Sequence, residues 1–185
     1  MDTIDELWER IETWMQRQAP QLLHQLAPGV TEEAIKRLED RLNTQLSEEV
    51  RACYRRHDGG YKIVVEGSRR MLTLADILDT WQMLMECLED EEWAATPPYY
   101  FGEEAFRLGV HPGPVQQVWW HPRWIPLATA NAGNLTCLDL VPAPGGVVGQ
   151  MLDWDHECGP SCMDFPSFHH LLSDFVDQLE GLADG

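Results

Sequence analysis

WWHPRWIPLATANAGNLTCLDLVPAPGGVVGQMLDW, residues 119–154, is the stretch that decides the fold of this chain. Its β-prone runs are separated by Gly, Pro and Asn at intervals of roughly ten residues, and these residues supply the backbone angles that tight turns require. The stretch therefore predicts an antiparallel meander. No combination of its side chains is typical of an active site, so function has to be inferred from charge and from resemblance.

Helical patterns surround this stretch. Each pattern begins after a residue that can cap a helix, and these residues are Thr3, Thr31, Ser47, Thr73 and Ser167. Apolar residues then recur every three or four positions, which predicts five amphipathic helices. A β-prone run at 61–66 predicts a strand between the third and fourth helices. The segment 94–117 has little periodicity and is predicted to be a long connection, with a short helix around 103–108.

Length and composition predict one globular domain over residues 1–185. The chain has 44% apolar and 24% charged residues, as soluble folded domains do. It contains no apolar run of about 18 residues, and its amino terminus is acidic where a secretion signal is basic. We therefore expect a cytoplasmic protein.

A strongly acidic charge points to basic partners. The 31 Asp and Glu residues oppose 13 Lys and Arg, and the net charge of −18 repels nucleic acid and anionic membranes. The densest acidic run follows the fourth predicted helix, beside an aromatic cluster, and interfaces use such charges for partner selection and such rings as anchors. The predicted partner-binding residues are Glu86, Glu89, Asp90, Glu91, Glu92, Tyr99, Tyr100, Phe101, Glu103 and Glu104. A solvated helix face is the alternative interpretation of the acidic run.

Five scattered cysteines predict reduced thiols and no disulfide framework. His156, Cys158 and Cys162 could hold zinc with a fourth ligand from elsewhere, but their spacing is not that of a standard zinc knuckle. We therefore predict neither a metal nor a cofactor, and retain these three residues only as candidate ligands.

Two further motifs do not predict catalysis. His57-Asp58 resembles a base with its orienting carboxylate, but adjacent helical residues point apart and no nucleophile is specified near them. The glycines of 145–149 precede a β-prone run and no lysine follows, so they predict a hairpin turn and not a phosphate loop. The chain is accordingly not expected to be an enzyme.

The ordered motifs of the chain resemble those of the SUKH superfamily, which includes the fungal Smi/Knr-type cell-wall-assembly regulator and many bacterial toxin-immunity proteins. The matching segments lie at 26–39 (LxPGxTEExIxxLE), 46–50 (LSEEV), 57–60 (HDGG), 72–77 (LTLADI), 124–128 (WIPLA), 138–142 (LDLxP) and 146–150 (GxxGQ). The resemblance implies an α+β fold with a central, mainly antiparallel sheet and helices packed around it. The order of the predicted elements agrees with that fold.

Charge and resemblance together suggest an immunity protein that binds a cognate bacterial toxin, for example a nuclease, and neutralises it by covering its functional surface. The alternative is a non-catalytic regulatory or scaffold protein of the Smi/Knr type. A third hypothesis is a metal-dependent enzyme that uses His156, Cys158 and Cys162. The sequence makes no prediction about self-association.

Overall fold

The computed structural model describes residues 1–60, 62–63, 69–89, 113–130 and 133–181. The chain divides into two compact units, and each has buried residues of its own. Unit 1 comprises Met1–Leu74 and Phe168–Gly185, and unit 2 comprises Ala75–Ser167.

Six helices and six strands occur in the described residues. The helices are α1 (Ile4–Gln18), α2 (Pro20–Leu23), α3 (Glu32–Leu42), α4 (Glu48–Arg56), α5 (Leu74–Glu89) and α6 (Phe168–Gly181). The strands are β1 (Lys62–Ile63), β2 (Arg69–Met71), β3 (Trp124–Thr129), β4 (Leu135–Asp139), β5 (Gln150–Asp155) and β6 (Gly159–Cys162).

Helix α1 of unit 1 begins at a capping box. Thr3 Oγ1 accepts a hydrogen bond from Glu6 N at 3.2 Å, and Glu6 Oε2 accepts one from Thr3 N at 2.6 Å. These bonds satisfy backbone donors that the first turn of a helix leaves unpaired. The apolar stripe of α1 packs against α4 and α6, and Trp8 is fully buried there. This predicted helix is confirmed.

The other helices of unit 1 begin largely where capping residues predict them. Thr31 caps α3, Ser47 caps α4, and α6 follows directly on Ser167. Pro20 lies outside the five predicted helices. It begins the short helix α2, because the missing N–H of proline has no intrahelical partner to lose in a first turn.

Strands β1 and β2 of unit 1 pair antiparallel, with Lys62 opposite Arg70. The strand predicted at 61–66 is thus present at 62–63, and its remaining positions lie outside the described residues. Gly59 precedes this pair with a φ of +56°. A Cβ at that position would meet Leu72 O at 2.2 Å, so the turn after α4 requires glycine.

Unit 2 contains the predicted meander. Strands β3, β4, β5 and β6 pair consecutively and antiparallel, and the register aligns Trp124 with Asp139 and Asp139 with Gln150. The strand β6 was not predicted, because 155–162 was interpreted as a Cys-containing loop. Its sequence, GPSC, lacks the β-branched and aromatic residues by which a strand is recognised.

One face of the meander carries the core of unit 2. Alternate residues of a strand share a face, and this face presents Trp124, Cys137, Leu152 and Trp154 to the apolar side of α5. The indole of Trp120 lies edge-on to those of Trp124 and Trp154, with ring centroids 5.8 and 5.6 Å apart. These edge-on contacts explain why the stretch is rich in tryptophan.

The fold class is α+β, with antiparallel strands and packed helices, as predicted. That one domain spans residues 1–185 stays a prediction, and so does the short helix expected at 103–108, which lies outside the described residues. All five cysteines are free thiols. In the described part of the chain, no helix is both long enough and apolar enough to cross a membrane.

Candidate functional site

The end of α5 carries the described part of the predicted acidic site. Glu86 and Glu89 are both exposed there, three positions apart and therefore on one face of the helix. On the same helix, Leu84 belongs to the core of unit 2 and Leu88 packs against that core. The other eight predicted partner-binding residues lie outside the described residues, namely Asp90, Glu91, Glu92, Tyr99, Tyr100, Phe101, Glu103 and Glu104.

A groove of about 610 Å³ lies on unit 1 between α1 and α6. Its central cation, Arg10, contacts Asp2 at 2.8 Å, Glu180 at 2.7 Å and Asp177 at 3.2 Å. The Arg10 guanidinium lowers the pKa of the Glu180 carboxyl. Because three carboxylates already surround it, Arg10 ties the chain terminus to α6 and offers little charge to a ligand.

A buried carboxylate lies at the edge of the core face of unit 2. The register places Trp124, Asp139 and Gln150 in one row across three strands. Asp139 has no exposed surface, and it accepts hydrogen bonds from Trp124 Nε1 at 3.1 Å, Val141 N at 2.9 Å and Gln150 Nε2 at 3.0 Å. Desolvation outweighs these bonds and raises the pKa of the Asp139 carboxyl.

Gln150 extends this network into the loop between β4 and β5, residues 140–149. Its side-chain Nε2 also donates to Pro114 O at 3.1 Å, and its Oε1 accepts from Val147 N at 3.0 Å. Gly146 lies inside the loop, where a Cβ would come within 2.6 Å of Pro142 Cβ and 2.8 Å of Pro114 O. The predicted hairpin turn at 145–149 is thus a tightly bonded loop.

The tip of this loop is apolar and exposed. The exposed fraction is 57% for Val147 and 67% for Val148. Their backbone is bonded on both sides, because Gln150 N donates to Val147 O at 3.0 Å and Gly149 N to Asp139 O at 2.7 Å. Two valines therefore face solvent on a fixed backbone.

The three candidate metal ligands do not come together. His156 and Cys158 lie in the turn between β5 and β6, whereas Cys162 ends β6, roughly 13 Å along the strand from Cys158. The Nδ1 atom of His156 is 2.9 Å from Asn134 Oδ1, and Cys162 Sγ donates to Met163 O. Burial raises the pKa of both thiols. No group of three or more His, Cys, Asp or Glu residues in the described ranges is arranged to hold a metal ion.

His57 and Asp58 have separate structural partners. His57 Nδ1 lies 2.8 Å from Ala27 O, and its Nε2 lies 3.0 Å from Glu12 Oε1. Asp58 Oδ1 instead accepts a hydrogen bond from Leu74 N at 2.9 Å, at the start of α5. The two side chains thus bind different elements and not each other, so they are not a base with its orienting carboxylate.

The polar groups in these arrangements serve the fold. Asp139 is buried, His57 and Asp58 are half-buried, and all three are engaged in hydrogen bonds that hold backbone segments in place. The exposed groups, at the α5 end and on the 140–149 loop, are charged or apolar side chains of the kind found at protein interfaces.

A family comparison identifies the chain. The model of the SMI1 / KNR4 family (SUKH-1) matches residues 29–180, which is most of the chain. The chain belongs to the SMI1 / KNR4 family. The SUKH resemblance inferred from the sequence motifs is therefore confirmed. The matched segment includes the meander, Asp139 and the residues that donate hydrogen bonds to Asp139.

Curated relatives come from fungi. The glucan synthesis regulatory protein of Neurospora crassa is 24% identical over 93% of this chain and 37% of its own length. The cell wall biosynthesis/cell cycle regulator smi1 of Schizosaccharomyces pombe is 29% identical over 80% and 31%. The cell wall assembly regulator SMI1 of Saccharomyces cerevisiae is 24% identical over 94% and 40%. The chain thus spans about a third of the length of the curated relatives it matches.

These relatives overturn the leading functional hypothesis. Their names describe regulators of cell-wall biosynthesis or assembly and of glucan synthesis, and none refers to a toxin or to immunity. The prediction of an immunity protein in bacterial competition, with a cognate toxin as partner, is therefore wrong. Its physical weakness is that a net charge of −18 specifies the sign of a partner and not its identity.

Sequence reasoning did not find the Asp139 network or the exposed loop tip. The signal for the first is a single carboxylate within the apolar run 137–141, but two of the three groups that donate to Asp139 come from positions 11 and 15 residues away. For the second, Val147 and Val148 look like strand residues in sequence. The glycines of 145–149 predict the turn, but the exposure of both valines depends on how the loop packs.

Proposed function

We propose that this chain is a non-catalytic protein-binding module of a regulator, related in role to the fungal regulators of cell-wall assembly. The observation that carries the proposal is the family match over residues 29–180, together with the consistent naming of the relatives. This was the alternative hypothesis from sequence. Because the chain spans about a third of those relatives, the proposal concerns only the segment that it matches.

Two features of the described residues support a binding role. The net charge of −18 favours partners that are neutral or basic and speeds their encounter. Asp139, His57 and Asp58 are engaged in hydrogen bonds that hold backbone segments in place, and none of them is paired as a nucleophile with an adjacent base.

A domain exchange in Saccharomyces cerevisiae tests the proposal. In a strain that lacks SMI1, the full 185-residue chain replaces the segment of SMI1 that it matches. We expect the chimera to restore growth in the presence of a glucan-binding dye, because the module supplies the missing partner contacts. The measurement is colony number relative to the strain with intact SMI1.

The control is the same chimera with Trp8→Ala and Trp124→Ala, which remove fully buried indoles from unit 1 and unit 2. This variant is expected to give no growth. If the folded chimera accumulates to the level of intact SMI1 and still restores nothing, the regulatory proposal is wrong.

The acidic end of α5 is part of this proposal. Glu86→Lys with Glu89→Lys reverses two exposed charges without touching the core. If these residues face the partner, the chimera loses growth restoration, whereas Glu33→Lys with Asp174→Lys makes the same charge change on unit 1 and retains it. Equal growth of the two double variants would remove the α5 end from the binding surface.

A further inference from the structure

Six large apolar side chains are exposed in the described residues: Met1, Leu22, Met83, Val118, Val147 and Val148. Isolated exposed apolar residues are ordinary on protein surfaces. Val147 and Val148 differ because they are adjacent and are more than half exposed. Together they form the one contiguous apolar pair in that set.

The loop that carries them has no polar side chain. Residues 140–149 read LVPAPGGVVG, in a chain of which 24% of residues are charged. Exposed loops normally favour polar residues, because they remain in water. This loop is thus an uncharged projection on a strongly acidic protein. Its side chains have no polar groups that could form hydrogen bonds with water.

The loop is also fixed before any partner binds. Ala143 N donates to Pro114 O at 3.0 Å, and Gly146 N donates to Ala143 O at 3.0 Å. Gln150 bonds Val147 N and the buried Asp139 carboxylate. A segment that is already ordered loses little conformational entropy on docking, so more of its apolar burial appears as affinity.

We propose that the 140–149 loop is a docking projection that inserts Val147 and Val148 into an apolar pocket of a partner protein. The proposal rests on the regulatory function proposed above and names the surface that performs it. The net charge of the chain indicates which kind of partner binds the loop. A second copy of the chain would add another net charge of −18, and an anionic membrane would also be repelled. The partner surface around the pocket is therefore neutral or basic.

The first test uses matched double variants of the yeast chimera. Val147→Ser with Val148→Ser removes the apolar tip, and Leu22→Ser with Val118→Ser removes two other exposed apolar side chains. Losing two valines from a buried pocket weakens an interface by roughly 100-fold. We expect the valine variant to lose growth restoration and the control variant to retain it. Circular dichroism of both purified chains should give the same melting temperature.

The two proposals fail separately. A parent chimera that restores no growth contradicts the regulatory function. A parent chimera that restores growth, with a valine variant that restores it equally, overturns the docking projection and leaves the regulatory function standing.

The second test identifies what covers the loop. A photo-crosslinking phenylalanine derivative replaces Val147, or Leu22 as a control, in the chimera. We expect a crosslink from position 147 to one other protein, lost when Val148→Ser is added. A crosslink between two copies of the chimera, or binding of the pure chain to phosphatidylcholine vesicles that requires the two valines, would overturn the choice of a protein partner.

Discussion

Asp139 shows how one residue joins three parts of unit 2. Its carboxylate binds the indole of Trp124 on β3, the amide of Gln150 on β5 and the backbone of Val141 in the next loop. The side chain has no exposed surface. Burial makes the charged form costly, and the pKa of the carboxyl is raised above 3.8 in the folded state. This residue therefore fixes the 140–149 loop at a cost in stability.

The sign of that cost gives a pH-dependent prediction. The folded state binds the Asp139 proton more tightly than the unfolded state does. In the wild type, the contribution of Asp139 to the free energy of unfolding therefore declines as the pH rises from 3.8 through the raised pKa of the folded state. Asp139→Asn does not titrate. The free energy of unfolding of the variant minus that of the wild type should thus rise with pH, measured by urea unfolding from 3.8 to neutrality. A pH-independent difference would contradict a raised pKa.

Gly29 gives a second residue-scale prediction. A Cβ at this position would lie 1.7 Å from Arg55 O and 2.4 Å from Arg55 C, both backbone atoms near the end of α4. Gly29→Ala must therefore push the loop away from α4 and should lower the free energy of unfolding by about 3 kcal/mol. Gly181→Ala has no atom within 4 Å and is the matched control, with little expected change. Equal stability of the two variants would contradict the packing.

Helix α1 lies before the matched family segment, yet it is part of the core of unit 1. Leu7 and Trp8 have no exposed surface, and the Trp8 ring lies 4.7 Å from the ring of His57. Glu12, one turn further along, bonds both Arg56 and His57 at the end of α4. The Arg56 guanidinium lowers the pKa of Glu12. Helix α1 is therefore part of the packed structure of unit 1.

The two tryptophans of α1 test this role. Trp8→Ala should lower the free energy of unfolding by about 4 kcal/mol, because it leaves a large cavity between helices. Trp14 is only half-buried, so Trp14→Ala is the control, with an expected loss of about 1.5 kcal/mol. Chemical denaturation of both variants measures the difference. If the two losses are equal, α1 does not pack as described.

At the scale of the whole molecule, charge dominates. The 31 anionic side chains exceed the 13 cationic ones, which leaves a net charge of −18. Four of the described arginines, Arg10, Arg51, Arg55 and Arg56, already take part in local ion pairs. Mutual repulsion of the excess carboxylates therefore opposes the compact state.

Salt should stabilise the protein for this reason. Raising NaCl from about 10 mM to about 150 mM shortens the Debye length from about 30 Å to about 8 Å and screens the repulsion. The thermal unfolding midpoint at neutral pH should rise, because the excess of carboxylates outnumbers the surface ion pairs that the same salt weakens. NaCl is used and sulfate is avoided, since sulfate stabilises proteins by exclusion. A falling midpoint would show that ion pairs dominate.

Local sequence determined most of the elements. Thr3, Thr31 and Ser47 cap helices wherever an apolar stripe follows, and the Gly, Pro and Asn residues of 119–154 separate the strands of the meander. These features depend on residues only a few positions apart, so they can be recognised from the sequence alone. The same local patterns, taken in order, were enough to place the chain in its family.

Tertiary structure alone decided what is buried and what faces a partner. The pairing of Asp139 with Gln150 and Trp124 depends on strand register, and the separation of Cys158 from Cys162 depends on the strand β6, which its sequence conceals. The turn at 145–149 was predicted from its glycines, whereas the exposure of Val147 and Val148 within it depends on tertiary packing. Hydrogen bonding between strands sets which residues share a row and which fall in a turn, and no local propensity contains that choice.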